Sequence, residues 1–146
     1  MHYAVACDHG GLPLKAVLVA ELEAQGHQVT DFGTNTPDSV DYPDYAIRVA
    51  REVEAGRADM GLLLCGTGLG MALAANRAAA VRAVTVSESF SARMAREHNN
   101  ANILCLGARV VGSGVAVEIL RIWLSSEFQG GRHQRRVDKI MEAANR

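Results

Sequence analysis

The stretch Met60 to Ala75, M-G-L-L-L-C-G-T-G-L-G-M-A-L-A-A, constrains the fold of this 146-residue chain more than any other. Met60-Gly61-Leu62-Leu63-Leu64 is an apolar run without alternation, the pattern of a strand buried on both faces of a parallel sheet. Cys65 closes that strand. Gly66-Thr67-Gly68-Leu69-Gly70 then turns the chain, because glycine tolerates positive φ and lets backbone approach a ligand closely. A helix is expected from about Met71, with Ala72, Ala74 and Ala75 as strong formers. A strand, a glycine loop and a helix in that order aim free N–H groups at whatever lies above the sheet edge, which makes the unit an anion cradle. The thiol at its mouth sets it apart from an ordinary phosphate loop. Partial positive charge there favours thiolate over thiol, and a thiolate can take a proton.

The rest of the chain repeats the alternation. Tyr3 to Cys7 reads as a first buried strand and Asp8-His9-Gly10-Gly11 as its turn. Pro13 suits the first turn of a helix running to Gln25, with Leu14, Val17, Leu18 and Leu22 on its apolar face and Gly26 as its stop. A second strand covers His27 to Phe32, and residues 33–43 form a polar loop too long to be a mere connector. The next helix turns Tyr45, Val49 and Val53 inward and ends at Gly56. After the central strand and its loop come a fourth strand, Val81 to Val86, a helix from about Ser89 to Glu97-His98-Asn99-Asn100, and a fifth strand, Ile103 to Gly107. A helix over Val115 to Ser125 buries Ala116, Ile119, Leu120, Trp123 and Leu124. Gly130-Gly131 breaks the chain before a last helix whose stripe of Val137, Ile140, Met141 and Ala144 needs a surface to cover, a subunit interface being one candidate. Such alternation implies a single domain over residues 1–146: a three-layer α/β/α arrangement on a five-stranded parallel sheet, Rossmann-like, plus a C-terminal helix.

Composition narrows the function. A formal charge of −1 supplies no general drive toward nucleic acid or anionic lipid, although Arg132-His133-Gln134-Arg135-Arg136 is a local basic cluster. No apolar run nears the ~18 residues of a membrane span and no signal-peptide pattern opens the chain, so a cytoplasmic protein is expected. The three cysteines have no C-x-x-C pairing and the five histidines no H-x-x-x-H spacing, which speaks against a disulfide framework or a metal. Cys7 and Cys105, inside strand runs, read as small buried hydrophobes.

In such sheets ligands sit beyond the carboxyl ends of the strands. Those ends carry Asp8-His9, Cys65-Gly66-Thr67, Ser87-Glu88 and Arg109. The glycine spacing is not the dinucleotide G-x-G-x-x-G, since position 71 is Met, and no Gly-Lys-Ser/Thr of a phosphate-binding P-loop follows. Each remaining motif has a plainer alternative when taken singly. Asp8-His9 can be a polar turn with a capping carboxylate, His98 a charge complementing a helix C-terminus, and Arg132 with Arg136 a solvated face at i, i+4.

Taken together the motifs resemble the type B ribose-5-phosphate isomerases and the related galactose-6-phosphate isomerase subunits. The resemblance spans nearly the whole chain: A-C-D-H-G-G at 6–11, D-Y-P at 41–43, C-G-T-G-L-G at 65–70, A-A-N at 74–76, R-E-H-N at 96–99, G-A-R-V-V-G at 107–112 and G-G-R-H-Q-R-R at 130–136. It implies an aldose–ketose isomerase acting on a small sugar phosphate without metal or organic cofactor, as a homodimer or dimer of dimers with shared sites. It implies Cys65 as the base, because the other branch of the family carries a glutamate where this chain has Met71. His98 becomes the ring-opening acid/base, with Asp8 as a possible assistant. The Gly66 to Gly70 amides, including those of Gly68 and Leu69, and the Thr67 hydroxyl stabilise the developing oxyanion. Asn99 binds sugar, His9, Arg109, Arg132 and Arg136 bind phosphate, and Tyr42 lines the pocket. Two alternatives stay open: the same chemistry on a hexose 6-phosphate or tetrose phosphate, and a non-catalytic sugar-phosphate-binding module, which would have no use for Cys65 and His98 together.

Overall fold

The computed structural model describes residues 1–145. Its strands are β1 (His2–Cys7), β2 (Gln28–Asp31), β3 (Met60–Cys65), β4 (Ala83–Thr85) and β5 (Ile103–Gly107). They form one sheet in the order β2-β1-β3-β5-β4 with every neighbouring pair parallel. The helices are α1 (Leu12–Ala24), α2 (Tyr42–Glu54), α3 (Leu69–Ala75), α4 (Ser89–Glu97), α5 (Ser113–Ser125) and α6 (Arg132–Ala144).

The strand order explains the layers. Steps in one direction across the sheet, β1 to β2 and β4 to β5, pass through α1 and α4; steps in the other direction, β2 to β3 and β3 to β4, pass through α2 and α3. A constant crossover hand therefore puts the first pair on one face and the second pair on the other. α5 joins the first face. There Leu14, Leu18, Leu22, Ala92, Ile119, Leu120 and Trp123 pack on Tyr3, Val5, Leu62, Leu64, Leu104 and Leu106. On the opposite face Ala46, Val49, Ala50, Met71 and Ala75 pack on Ala4, Ala6, Leu63, Cys65, Ile103 and Cys105. Because β3 is covered on both sides it reads as an unbroken apolar run. Trimming Leu63 to alanine would cost about 2–5 kcal/mol, the usual range for a buried leucine.

Several sequence expectations shift. Val17 is exposed, and its neighbour Lys15 is buried instead. Tyr45 and Leu124 are half-buried. β4 keeps only Ala83–Thr85 of the expected Val81 to Val86, and α3 begins at Leu69 rather than Met71. α6 is not set apart by its two glycines. Gly130 and Gly131, at φ +62° and +56°, turn the chain back so that His133 and Val137 are buried while Ile140 and Ala144 stay exposed. The outermost strands are short, four residues in β2 and three in β4. The chain leaves β1 toward β2 and later returns to the other side of β1 as β3, so the crevice of the sheet opens between the carboxyl ends of β1 and β3.

Candidate active site

That crevice holds Cys65. The cysteine is 5% exposed, and its Sγ accepts a hydrogen bond from the Gly68 N–H at 3.0 Å. Gly68 must be glycine on two counts: its φ is +81°, and a Cβ there would lie 2.9 Å from Thr85 Cγ2. Its carbonyl accepts from the Thr85 hydroxyl at 2.9 Å, tying the loop to β4. The Leu69 N–H donates to Thr67 Oγ1 at 3.3 Å. The N–H groups of Gly66, Thr67 and Gly70 donate to no acceptor among the described residues. The loop therefore presents a nucleophilic sulfur with one donor already on it and three further donors unspent.

Three elements converge on this loop. From β1, Asp8 is buried with Oδ1 accepting from the Gly11 N–H at 3.0 Å, and the turn it caps lies against Gly66. His9 Nδ1 accepts from the Val40 N–H at 3.2 Å. From the start of α2, the Tyr42 ring covers Gly70 so closely that a Cβ on that glycine would stand 2.6 Å from it. From the end of β5, Arg109 lays its side chain over Gly66, and its N–H donates to the Gly66 carbonyl at 3.0 Å. Asp8, His9, Tyr42, Cys65, Gly66, Thr67, Gly68, Leu69, Gly70 and Arg109 thus form one constellation at the carboxyl edge.

The remaining candidates stand at the other end of the molecule. α4 starts beyond β4 and runs back along the sheet for nine residues, about 13 Å at 1.5 Å per residue. His98 is its C-cap, and the chain enters β5 at Ile103, which pairs with Gly61, whereas Cys65 pairs with Gly107. His98 therefore sits at the amino edge of the sheet and Cys65 at the carboxyl edge. The His98 ring stacks on His133 of α6, centroids 4.1 Å apart and planes 10° from parallel. Arg132 and Arg136 flank that stack as exposed side chains, with Asn99 exposed beside it. Arg82 Nε donates to the Asn100 carbonyl at 2.8 Å and Arg96 donates to the Ala101 carbonyl, clamping the turn after His98. Burial, followed by the nearby His98, Arg132 and Arg136, holds the His133 pKa below the ordinary imidazole range.

The other cysteines are inert packing. Burial pushes the Cys7 thiol up to about 11, and Cys105 is raised further, by burial and by the neighbouring Cys65. Glu88, three residues beyond β4, caps α4: both its carboxylate oxygens accept from the Ser91 N–H at 3.0 Å, and hydrogen bonding from the Ser91 side chain, then from that N–H, lowers its pKa. No three His, Cys, Asp or Glu side chains among the described residues gather closely enough to hold a metal ion. Sequence reasoning missed His133 as a partner of His98, although it lies within the G-G-R-H-Q-R-R motif, and missed the buried Lys15, whose only signal is a lysine beside an apolar helical stripe.

Residues 3–140 match the Ribose/Galactose Isomerase family. Ribose-5-phosphate isomerase B of Escherichia coli (strain K12) is 47% identical over 137 residues, 94% of this chain and 92% of that one. The structure of Clostridium thermocellum ribose-5-phosphate isomerase B superposes with a TM-score of 0.97 at 49% identity, covering 99% of this chain and 98% of that one. Ribose-5-phosphate isomerase B from Mycoplasma genitalium, solved with bound ribulose 5-phosphate, is 41% identical with a TM-score of 0.95, over 99% of this chain and 96% of that one.

Proposed function

Since the chain belongs to the ribose/galactose isomerase family, we propose that it interconverts ribose 5-phosphate and ribulose 5-phosphate with Cys65 as the proton-transfer base. The observation that carries this reading is the Cys65 sulfur seated in a loop with unspent N–H donors. In the aldose-to-ketose direction the ring first opens, with His98 exchanging protons with the ring oxygen and anomeric hydroxyl. The thiolate then removes the C2 proton, leaving an enediolate; the O2 hydroxyl proton passes to O1, and the thiol, whose proton exchanges with solvent, returns a proton to C1. Negative charge grows on oxygen during this step, so the donors of Gly66, Thr67 and Gly70 and the Thr67 hydroxyl stabilise the transition state more than the substrate. One such donor is worth about 3 kcal/mol. Asp8 has one oxygen committed to Gly11 and the other free to assist at the ring. Asn99 binds sugar hydroxyls. His9, Arg109, Arg132 and Arg136 hold the phosphate, a task suited to guanidinium because it is always charged and binds in a bidentate manner.

These roles require two chains. Cys65 and His98 stand at opposite edges of one sheet, which supports a homodimer, or a dimer of dimers, in which each site joins Cys65 of one copy to His98, Asn99, Arg132 and Arg136 of another. Leu69 and Leu73, one helical turn apart on α3, are 59% and 72% exposed beside the cradle and supply an apolar seat for a second copy. The charged phosphosugar and the free thiols suit a cytoplasmic enzyme of pentose phosphate metabolism.

Three experiments test the proposal. In heavy water the enzyme should exchange the C2 proton of ribose 5-phosphate for deuterium, whereas a binding module leaves it in place. Turnover of five-carbon phosphosugars should exceed that of four- and six-carbon ones. Cys65→Ala and His98→Asn homodimers should each be inactive, yet refolding them together should return roughly a quarter of wild-type activity, since half the random dimers carry one intact site. Verified heterodimers without activity would refute the shared site.

A further inference from the structure

Lys15 lies on α1, a helix to which the reaction above assigns nothing, and it is only 6% exposed. A buried ammonium is costly unless all its protons are bonded, and here they are. Nζ stands 2.9 Å from Asp31 Oδ2 and 2.6 Å from Asn35 Oδ1, and it donates to the Thr34 carbonyl. An ion pair fastening α1 to β2 would need only the first of these contacts. The other two acceptors belong to the opening residues of the loop between β2 and α2.

That loop reaches the active site at its far end. Its start is laced to the end of β1: the Cys7 N–H donates to the Gly33 carbonyl at 2.6 Å and the Thr34 N–H to the Cys7 carbonyl at 2.7 Å. Six residues on, the Val40 N–H donates to His9 Nδ1, and Tyr42 then covers Gly70. A histidine whose Nδ1 accepts a hydrogen bond carries its proton, when neutral, on Nε2. We propose that Lys15 is a positioning residue: through Thr34 and Asn35 it fixes the 34–41 loop so that Val40 holds His9 in the Nε2–H tautomer, aimed as a donor at a phosphate oxygen. The proposal rests on the assignment of His9 to the phosphate group.

The test uses the full-length enzyme with Asn35→Ala, which removes one acceptor at an exposed residue and should fold normally, and Lys15→Met, which removes the whole tripod. Nitrogen-15 spectra of the His9 ring should show the Nε2–H tautomer in the wild type and a tautomer mixture in both variants. KM for ribose 5-phosphate should rise about 3- to 10-fold in Asn35→Ala, as expected for a hydrogen bond of ordinary strength weakened rather than an ion pair lost, with kcat within about twofold. Asn35→Asp, which keeps an acceptor for the ammonium, should restore wild-type KM. In a His9→Asn background Asn35→Ala should add less than about twofold to KM, because the contact it acts through is already gone. An unchanged His9 tautomer in Asn35→Ala, or a KM effect that multiplies in full on top of His9→Asn, overturns the role of Lys15. A changed tautomer together with a normal KM in His9→Asn upholds the positioning of His9 by Lys15 and instead removes His9 from the phosphate site.

Discussion

Replacing Gly68 by alanine tests whether the cradle is shaped by backbone geometry, and its cost can be worked out. A residue with a Cβ at φ +81° loses about 1–2 kcal/mol relative to glycine. The new methyl also meets Thr85 Cγ2 at 2.9 Å and the Leu106 backbone at 3.1 and 3.2 Å, and forced overpacking of this kind costs about 1–3 kcal/mol. Together that is about 2–5 kcal/mol, or a fall in Tm of about 6–15 °C for a chain this size. Gly26 separates the two contributions, because it has φ +84° and a methyl added there would meet nothing within 4 Å. Gly26→Ala should therefore lose only about 1–2 kcal/mol and keep full kcat. Thr85→Ser removes the clashing methyl yet retains the hydroxyl that donates to Gly68, so Gly68→Ala should be about 1 kcal/mol milder in that background. Ligand-free thermal unfolding reads the stability, and initial rates read the site, where displacement of the N–H on Cys65 should lower kcat at least about tenfold. A Gly68→Ala enzyme with the Tm and kcat of Gly26→Ala would refute the reasoning.

Three further outcomes are expected. The folded-state pKa of His133 lies below its ordinary 6.5, so the unfolded chain binds more protons between the two values; stability is full above about 6.5 and is lost as pH falls through the lowered value. His133→Gln should flatten that acid-side slope in urea titrations, and an unchanged slope would mean another group is responsible. Arg136→Ala should raise KM for phosphorylated substrates at least about tenfold while ligand-free stability moves by under about 0.5 kcal/mol, as at other exposed positions; a comparable loss of stability would make Arg136 a structural residue. Gly70→Ala should displace the Tyr42 ring at small cost to stability, since a side chain at the surface can swing aside, and its effect on KM should match that of Tyr42→Ala without adding to it.

The sequence was most legible where one local pattern had one physical solution. The central strand, its glycine turn and the inert Cys7 and Cys105 follow from apolar runs and residue size, and β5 has the bounds read from its composition. Helix faces were less legible. The periodicity of α1 admits Val17 as readily as Lys15, and the choice is made by Asp31 and Asn35, which are distant in sequence. The stripe of α6 misleads in the same way, because the two positive-φ glycines rotate His133 and Val137 inward and leave Ile140 in solvent. The family motifs were all recognisable, and the resemblance already implied sites shared between two chains, but the placing of Cys65 and His98 at opposite edges of one sheet was not legible in them. That placing depends on the direction in which α4 runs and on which strand lies beside which, and neither is encoded in any short motif.

Strand order also governs how the molecule comes to be made. β5 sits between β3 and β4 although it is synthesised after both, so β4 has no neighbour to pair with until residues 103–107 exist. A growing chain can complete β2-β1-β3 early, but the outer edge of β3 then stands open, a row of unpaired backbone groups on an apolar strand. Such an edge is where chains associate wrongly. That edge is covered only when β5 fills the gap, and β4 then docks on β5 as a three-residue rim too short to recruit another strand. Fragments ending before Ile103 should therefore aggregate, whereas those that include β5 and α5 should remain dispersed.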